Sequence, residues 1–260
     1  MELHQASRAA GIGVVAVSEH RGPARLHRAV PTLSARLIVS LGAPLEVGYH
    51  GHTRTAPAMV AGFMRPGIAT PATTLLPRQP TVYAELSPSA WHRLTGVPLS
   101  EVDAGGVAAD AILPWVNSLR EELANRPADD RAEVLRIRLL DQLHRADRDR
   151  MAGDALAALE LIRAGDGLVS VDDLAQAVHL SPRRLRAVMR GSLGITPKFA
   201  SRVARLAAAV GRAGAGVASW TQVAAESGYH DQSHLVHEFR DLMNTTPTAW
   251  LGEEGRKLQG

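Results

Sequence analysis

The chain contains no cysteine. That absence removes disulfide bridges, thiolate zinc sites and cysteine nucleophiles together, and it suits a reducing compartment. Aromatic residues are scarce, at 4% of 260 residues, so Leu, Val, Ile and Ala must fill most of any core. No uncharged apolar run reaches the ~18 residues that a membrane span requires. The opening stretch, MELHQASRAAGIGVVAVSEH, lacks a basic start, an unbroken apolar run and a small-residue cleavage site, so no secretory leader is expected. Together these absences predict a soluble, cytoplasmic protein without membrane contact. One further absence is local: between Leu174 and Ala225 there is no Asp or Glu. The same stretch holds Arg183, Arg184, Arg186, Arg190, Lys198, Arg202, Arg205 and Arg212, although the whole chain carries a net charge of only +3. A long basic segment free of acids is what contact with phosphate requires.

What is present divides into two halves. From about Gly11 to Ala90, apolar runs such as GVVAV (13–17), ARLIVSL (35–41) and AMVAGFM (58–64) alternate with Gly- and Pro-bearing breaks, the pattern of short strands. From about Asp110 the period becomes helical. Ile112, Val116, Leu119 and Leu123 predict one apolar face, and Val134, Ile137, Leu140 and Asp141–Leu143 continue the helical spacing after the break at Arg126-Pro127. The segment DALAALELIRA (154–164) ends at Gly165, a helix stop. A charged run, RADRDR (145–150), marks the boundary. The expected fold is therefore α+β in two domains: a β-rich domain over 1–150 that ends in helices, an all-α domain over 153–252, and a short polar tail over 253–260.

The all-α half contains an internal repeat. The first copy reads VDDLAQAVHLSPRRLRAVMRGSLGITP (171–197) and the second WTQVAAESGYHDQSHLVHEFRDLMNTTP (220–247). Aligning Leu185 with Leu235 places Met189 on Phe239, Arg190 on Arg240 and Thr196-Pro197 on Thr246-Pro247. Each copy has the signals of helix, tight turn, helix. Ser170 with Asp173 and Ser219 with Gln222 have capping-box spacing. Ser181-Pro182 starts the second helix of copy one, and Asp231 caps its counterpart after a turn at Gly228. Leu174, Ala175, Leu185 and Met189 in copy one, and Val223, Ala224, Leu235 and Phe239 in copy two, are the expected cores. Such a unit is a helix-turn-helix, whose second helix can enter the major groove of DNA.

The order LAxxxxLSPRRLRxxM…GITP followed by WxxVAxxSGYxDQSHLxxEF…TTPxxW resembles the AraC/XylS-type DNA-binding domain over roughly Gly153–Leu251. The resemblance implies two recognition helices in successive major grooves, ~34 Å apart, joined by a central helix expected over Pro197–Gly211. Two positions depart from the family pattern: Met189 stands for the usual Phe, and Asn244 for the usual Gly before the second Thr-Pro. The segment AELSPSAWHRLTGVPLSEVD (84–103) is similar to sensor domains attached to some actinobacterial regulators of this type.

The segment SGYHDQSHLVHEF (227–239) carries His230, His234 and His237, three of the chain's eleven histidines. Clustered histidines suggest a metal site, but the repeat maps this helix onto the arginine-rich one. The expected base-contacting residues are Arg183, Arg184 and Arg186 in copy one, suited to guanine O6/N7, and Gln232, Ser233, Val236 and His237 in copy two. Gln232 suits adenine N6/N7, and Val236 a thymine methyl. Arg190, Lys198, His234 and Arg240 are expected at phosphates. The expected partner is double-stranded promoter DNA, with RNA polymerase, a small-molecule effector and a second copy of the chain left open. The expected setting is the nucleoid, and no cofactor or metal is expected.

Three rival readings use other residues. A metal-dependent enzyme in the β-rich half would rest on His50 and His52, yet the sequence after them, TRTAPAMVAGFMRPG, offers no carboxylate ligand. An alkyl-transfer repair protein needs cysteines and is excluded. An architectural DNA-binding protein needs no separate β-rich half. The reading that remains is a sequence-specific transcription regulator, activator or repressor, and not an enzyme.

Overall fold

The computed structural model describes residues 2–49, 51–61, 64–97, 101–102, 105–146, 153–214 and 219–254. Two compact units result. One comprises Met1–Arg25, Ser34–Phe63 and Ala72–Met151; the other comprises Leu26–Leu33, Met64–Pro71 and Ala152–Gly260.

The first unit is β-rich. After a helix α1 (Glu2–Ala9), the strands are β1 (Ile12–His20), β2 (Arg25–Arg28), β3 (Ala35–Ser40), β4 (Leu45–Tyr49), β5 (His52–Ala56), β6 (Ala58–Ala61), β7 (Ala72–Leu75), β8 (Gln79–Leu86) and β9 (Val107–Ala108). Strands β1, β8, β3, β6 and β9 form one sheet in that order, and β7, β4 and β5 a second; Leu26–Arg28 of β2 belong to the other unit. In the antiparallel β3–β8 ladder, Ala35, Leu37 and Val39 lie opposite Leu86, Ala84 and Val82, and all six are fully buried. Period-two alternation thus builds one face of the core. Leu45, Val47, Ala56 and Met59 form a second cluster, with Ile38 and Ala108 against it.

Helices follow: α2 (Pro88–Thr95), α3 (Val116–Ala124) and α4 (Arg131–Arg145). Ser87 caps α2 by accepting from the Ala90 N–H, and Gly96 ends it in the left-handed conformation. The buried stripe of α3 is Val116, Leu119 and Leu123. That of α4 is Leu135, Leu139, Leu140 and Leu143, and here the sequence reading needs correction: Ile137 is 52% exposed and Val134 only partly buried. The α4 stripe starts at Leu135 rather than Val134, and the stem of Arg136 fills space beside it, as long cationic side chains can. His52 is exposed at the first position of β5, opposite Tyr49. His50, its partner in the metal reading, lies outside the described residues.

The second unit is helical: α5 (Gly153–Ala164), α6 (Val171–Ala177), α7 (Pro182–Leu193), α8 (Pro197–Gly214), α9 (Trp220–Glu226), α10 (Gln232–Met243) and α11 (Pro247–Glu253). The connecting helix α8 runs through Gly211 to Gly214, with Phe199, Val203, Leu206, Ala209, Val210 and Ala213 on its buried face. Gly167 makes the approach of the α5–α6 loop to α8 possible. It sits at φ +72°, and a Cβ there would lie 2.1 Å from the Ser201 carbonyl oxygen.

Two stretches from early in the sequence belong to this helical unit, a partition that a single cut near residue 150 does not anticipate. The Thr70 N–H donates to the Leu242 carbonyl (2.8 Å), and the Arg28 guanidinium reaches the Met243 carbonyl (3.4 Å). These are last-turn carbonyls of α10, which have no acceptor role left within the helix. Arg28 also pairs with Glu253 (2.9 Å) and His27 Nδ1 lies 2.7 Å from Glu254, while the Trp250 indole donates to the Arg28 carbonyl (3.4 Å).

Candidate nucleic-acid interface

The two helix pairs α6/α7 and α9/α10 are built from parallel local signals. Side-chain oxygens of Ser170, Ser181, Ser219 and Asp231 each accept the backbone N–H three residues on, from Asp173, Arg184, Gln222 and His234. Thr196 and Thr246 do the same for Phe199 and Ala249, starting α8 and α11. The turn between the helices needs a left-handed residue, supplied by His179 (φ 55°) in copy one and Gly228 (φ 70°) in copy two. The second helices of the two pairs end alike, at Gly194 (φ 71°) and Asn244 (φ 50°), so the Asn-for-Gly exchange preserves the backbone.

Inward positions hold the pairs together. Leu174, Leu185, Met189, Val223, Leu235 and Phe239 are fully buried, and Ala175 and Ala224 are 1% exposed. Copy two adds an aromatic cluster: Phe239 meets Trp220 edge-on at 5.5 Å and Trp250 at 6.2 Å.

With those faces inward, α7 presents Arg183, Arg184, Arg186 and Arg190 to solvent, and Lys198 is exposed at the start of α8. None of these five cations forms an ion pair among the described residues. On α10, Gln232, Ser233, His234, His237 and Arg240 are exposed and Val236 is half-buried. The exposed faces of α7 and α10 therefore differ in chemistry, one cationic and the other mostly neutral and polar.

Several α10 groups are already held. Thr221 on α9 donates to Gln232 Oε1 (2.8 Å), which leaves the amide N–H groups outward as donors. The His234 ring stands edge-on to Tyr229 at 5.1 Å, and its Nδ1 accepts the His230 N–H at 3.4 Å. Burial pushes the Tyr229 phenol well above the usual tyrosine range, so it stays neutral. The His234 N–H bond, and then His230, hold the Asp231 carboxylate below its ordinary value.

The three remaining cations of the acid-free stretch lie elsewhere. Arg202 binds Glu238 (2.7 Å) and Asp241, Arg205 lies 5.7 Å over the Tyr229 ring and reaches the Gly167 carbonyl, and Arg212 pairs with Asp166 (2.7 Å). All three are struts of the unit rather than surface charge. Sequence reasoning counted Arg202 with the phosphate-facing cations, which its pairing with Glu238 and Asp241 corrects, and it overlooked Tyr229 and Thr221. One signal was available for Arg202: the repeat sets Glu238 on Val188, and a carboxylate at an inward position calls for an internal cation.

Paired helix-turn-helix units on one connecting helix define a double helix-turn-helix, DNA-binding domain. Residues 174–253 match the family model described as a helix-turn-helix domain. Residues 174–253 thus carry an AraC-type helix-turn-helix domain. No curated protein matches significantly. Among solved structures, ToxT from Vibrio cholerae O395 is similar, at 14% identity and TM-score 0.53 over 96% of this chain and 99% of that one. A P21 form of Vibrio cholerae ToxT gives 12% and 0.54 over 96% and 100%. ToxT from strain SCE256 bound to an unsaturated fatty acid gives 11% and 0.53 over 92% and 94%. At these identities the likeness is one of fold, a β-rich part followed by the helical part.

Proposed function

We propose that the protein is a sequence-specific transcription regulator that sets α7 and α10 into successive major grooves of promoter DNA. The observation that carries this reading is the exposed cationic face of α7, without an ion pair among the described residues, repeated as an exposed polar face on α10, each opposite a fully buried core. Arg183, Arg184 and Arg186 read guanine edges; Gln232, Ser233, Val236 and His237 read the second half-site. Arg190, Lys198, His234 and Arg240 contact phosphates and set the register. The protein acts in the cytoplasm on nucleoid DNA, and the two-domain fold leaves the β-rich unit for sensing or self-association. That ToxT has been crystallised with an unsaturated fatty acid supports a small apolar effector here as well.

Genome-wide binding followed by selection from random oligonucleotides tests the reading, and the absence of any preferred site overturns it. On the selected site, Arg186→Ala weakens binding by ~1–3 kcal/mol and relaxes one base position. Lys198→Ala lowers affinity for all sequences alike and reduces the salt slope by about 1. An unsaturated fatty acid that raises the unfolding temperature and shifts DNA affinity would establish the effector; no change in either removes that part alone.

A further inference from the structure

We propose that Arg202 of the connecting helix α8 is a positioning residue for the second DNA reader, fixing the rotation of α10 and drawing its two carboxylates away from DNA. The proposal rests on the DNA-binding reading above.

The geometry is a fork on a fork. Arg202 Nε donates to both carboxylate oxygens of Glu238, at 3.0 and 3.1 Å. Its terminal nitrogen donates to Glu238 Oε2 at 2.7 Å and to Asp241. A guanidinium bound in this way fixes direction as well as distance, which a point charge does not. The Glu238 side chain is 9% exposed and that of Arg202 32%, so water screens the pair only partly. Glu238 follows directly on His237 and precedes Phe239, the aromatic centre of the second unit. Any rotation of α10 that loosened the fork would also turn His237 and Ser233 from their common face.

The repeat places Glu238 on Val188 and Asp241 on Gly191, so α7 has no acid at either position. A helix that approaches phosphates gains nothing from two carboxylates unless they are neutralised, because like charges oppose association. Arg202 does so from the non-DNA side. One turn along α8, Arg205 covers the ring of Tyr229, which in turn meets His234. The connecting helix therefore supports the second helix pair through a polar stripe.

The test uses the full chain and the site selected from random oligonucleotides, beside a copy of that site with its second half scrambled. Arg202→Met should lower affinity for the complete site about tenfold, an ordinary coupling between contacting residues. It should leave affinity for the half-scrambled site and the salt slope nearly unchanged. Replacing the whole network, as Arg202→Met with Glu238→Val and Asp241→Asn, should recover most of the loss, since no carboxylate is then left unpaired. If Arg202→Met does not fold, Arg202→Lys, which keeps the charge and loses the fork, carries the same comparison. An equal loss on both sites with a salt slope smaller by about 1 would make Arg202 a phosphate contact and overturn the proposal. Failure of the triple variant to recover would overturn it too. A wild-type protein that prefers no second half-site would instead refute the DNA-binding reading on which it stands.

Discussion

Single residues decide the turns of the two readers. Gly228 holds φ 70°, and a Cβ there would meet Leu168 Cδ2 at 2.5 Å, the movable end of a half-exposed side chain. The backbone is then the main obstacle. Gly228→Ala should destabilise the chain by about 1–2 kcal/mol, read as a lower denaturant midpoint with unchanged slope. Copy one tolerates His179 in the equivalent conformation, so this turn is not reserved to glycine. Asp231 gives a prediction in pH. Its carboxyl titrates below the ordinary value when folded, because the His234 N–H and His230 favour the charged form. Its stabilising effect is therefore complete above the unfolded value and disappears as the pH falls through the folded one. Thermal midpoints measured between pH 5 and 3 should fall less steeply for Asp231→Asn, which keeps a capping oxygen without the charge. Thr221 also acts on a neighbour. Thr221→Val frees the Gln232 carbonyl, so selection from random oligonucleotides should show a changed preference at one second-half-site position, with stability unaltered.

At the scale of elements, legibility followed the kind of signal. The helical repeat could be read because caps, turn residues and inward spacings recur in both copies; Ser181 and Asp231 cap their helices in the structure as the sequence indicates. The β-rich half was legible only as a class. β3 and β6 were marked by apolar runs, but β8, the interior strand between β1 and β3, reads QPTVYAEL and alternates too weakly to stand out. β5, HTRTA, is mostly exposed and has no apolar face to betray it. On α4 the apolar residues allow two stripes, and only packing against β1 and β8 selects Leu135, Leu139 and Leu143 over Ile137. Among the cations, sequence could count the acid-free stretch but not divide it. The five exposed ones differ from Arg202, Arg205 and Arg212 in what lies across the fold, and that partner set includes Asp166 and Glu238, outside the stretch itself. Ile137→Lys is accordingly neutral for the fold of the chain, whereas Leu139→Ala should cost about 2–5 kcal/mol in urea unfolding.

At the scale of the whole molecule, the helical unit is not continuous in sequence. Its recognition helix α10 ends on carbonyls bound by Thr70 and Arg28, and α11 is held through Glu253, Glu254 and Trp250 by residues 27 and 28. These residues complete the second helix pair from outside its own stretch of sequence. The two readers should therefore differ in local stability, with the second depending on chain segments more than a hundred residues away. Arg28→Ala removes the Glu253 pair and the bond to the Met243 carbonyl while leaving its own backbone carbonyl for Trp250. Because both partners are mostly but not wholly shielded, with side chains 18% and 24% exposed, the cost should be about 1–2 kcal/mol. Hydrogen exchange locates it. Amides of α11 and the Thr70 N–H should exchange faster in the variant, while those of α6 and α7 keep their wild-type protection. Uniform acceleration across α6 to α11 would mean that Arg28 supports the unit as a whole; acceleration confined to the second helix pair and α11 makes residues 26–33 and 64–71 part of one reader only.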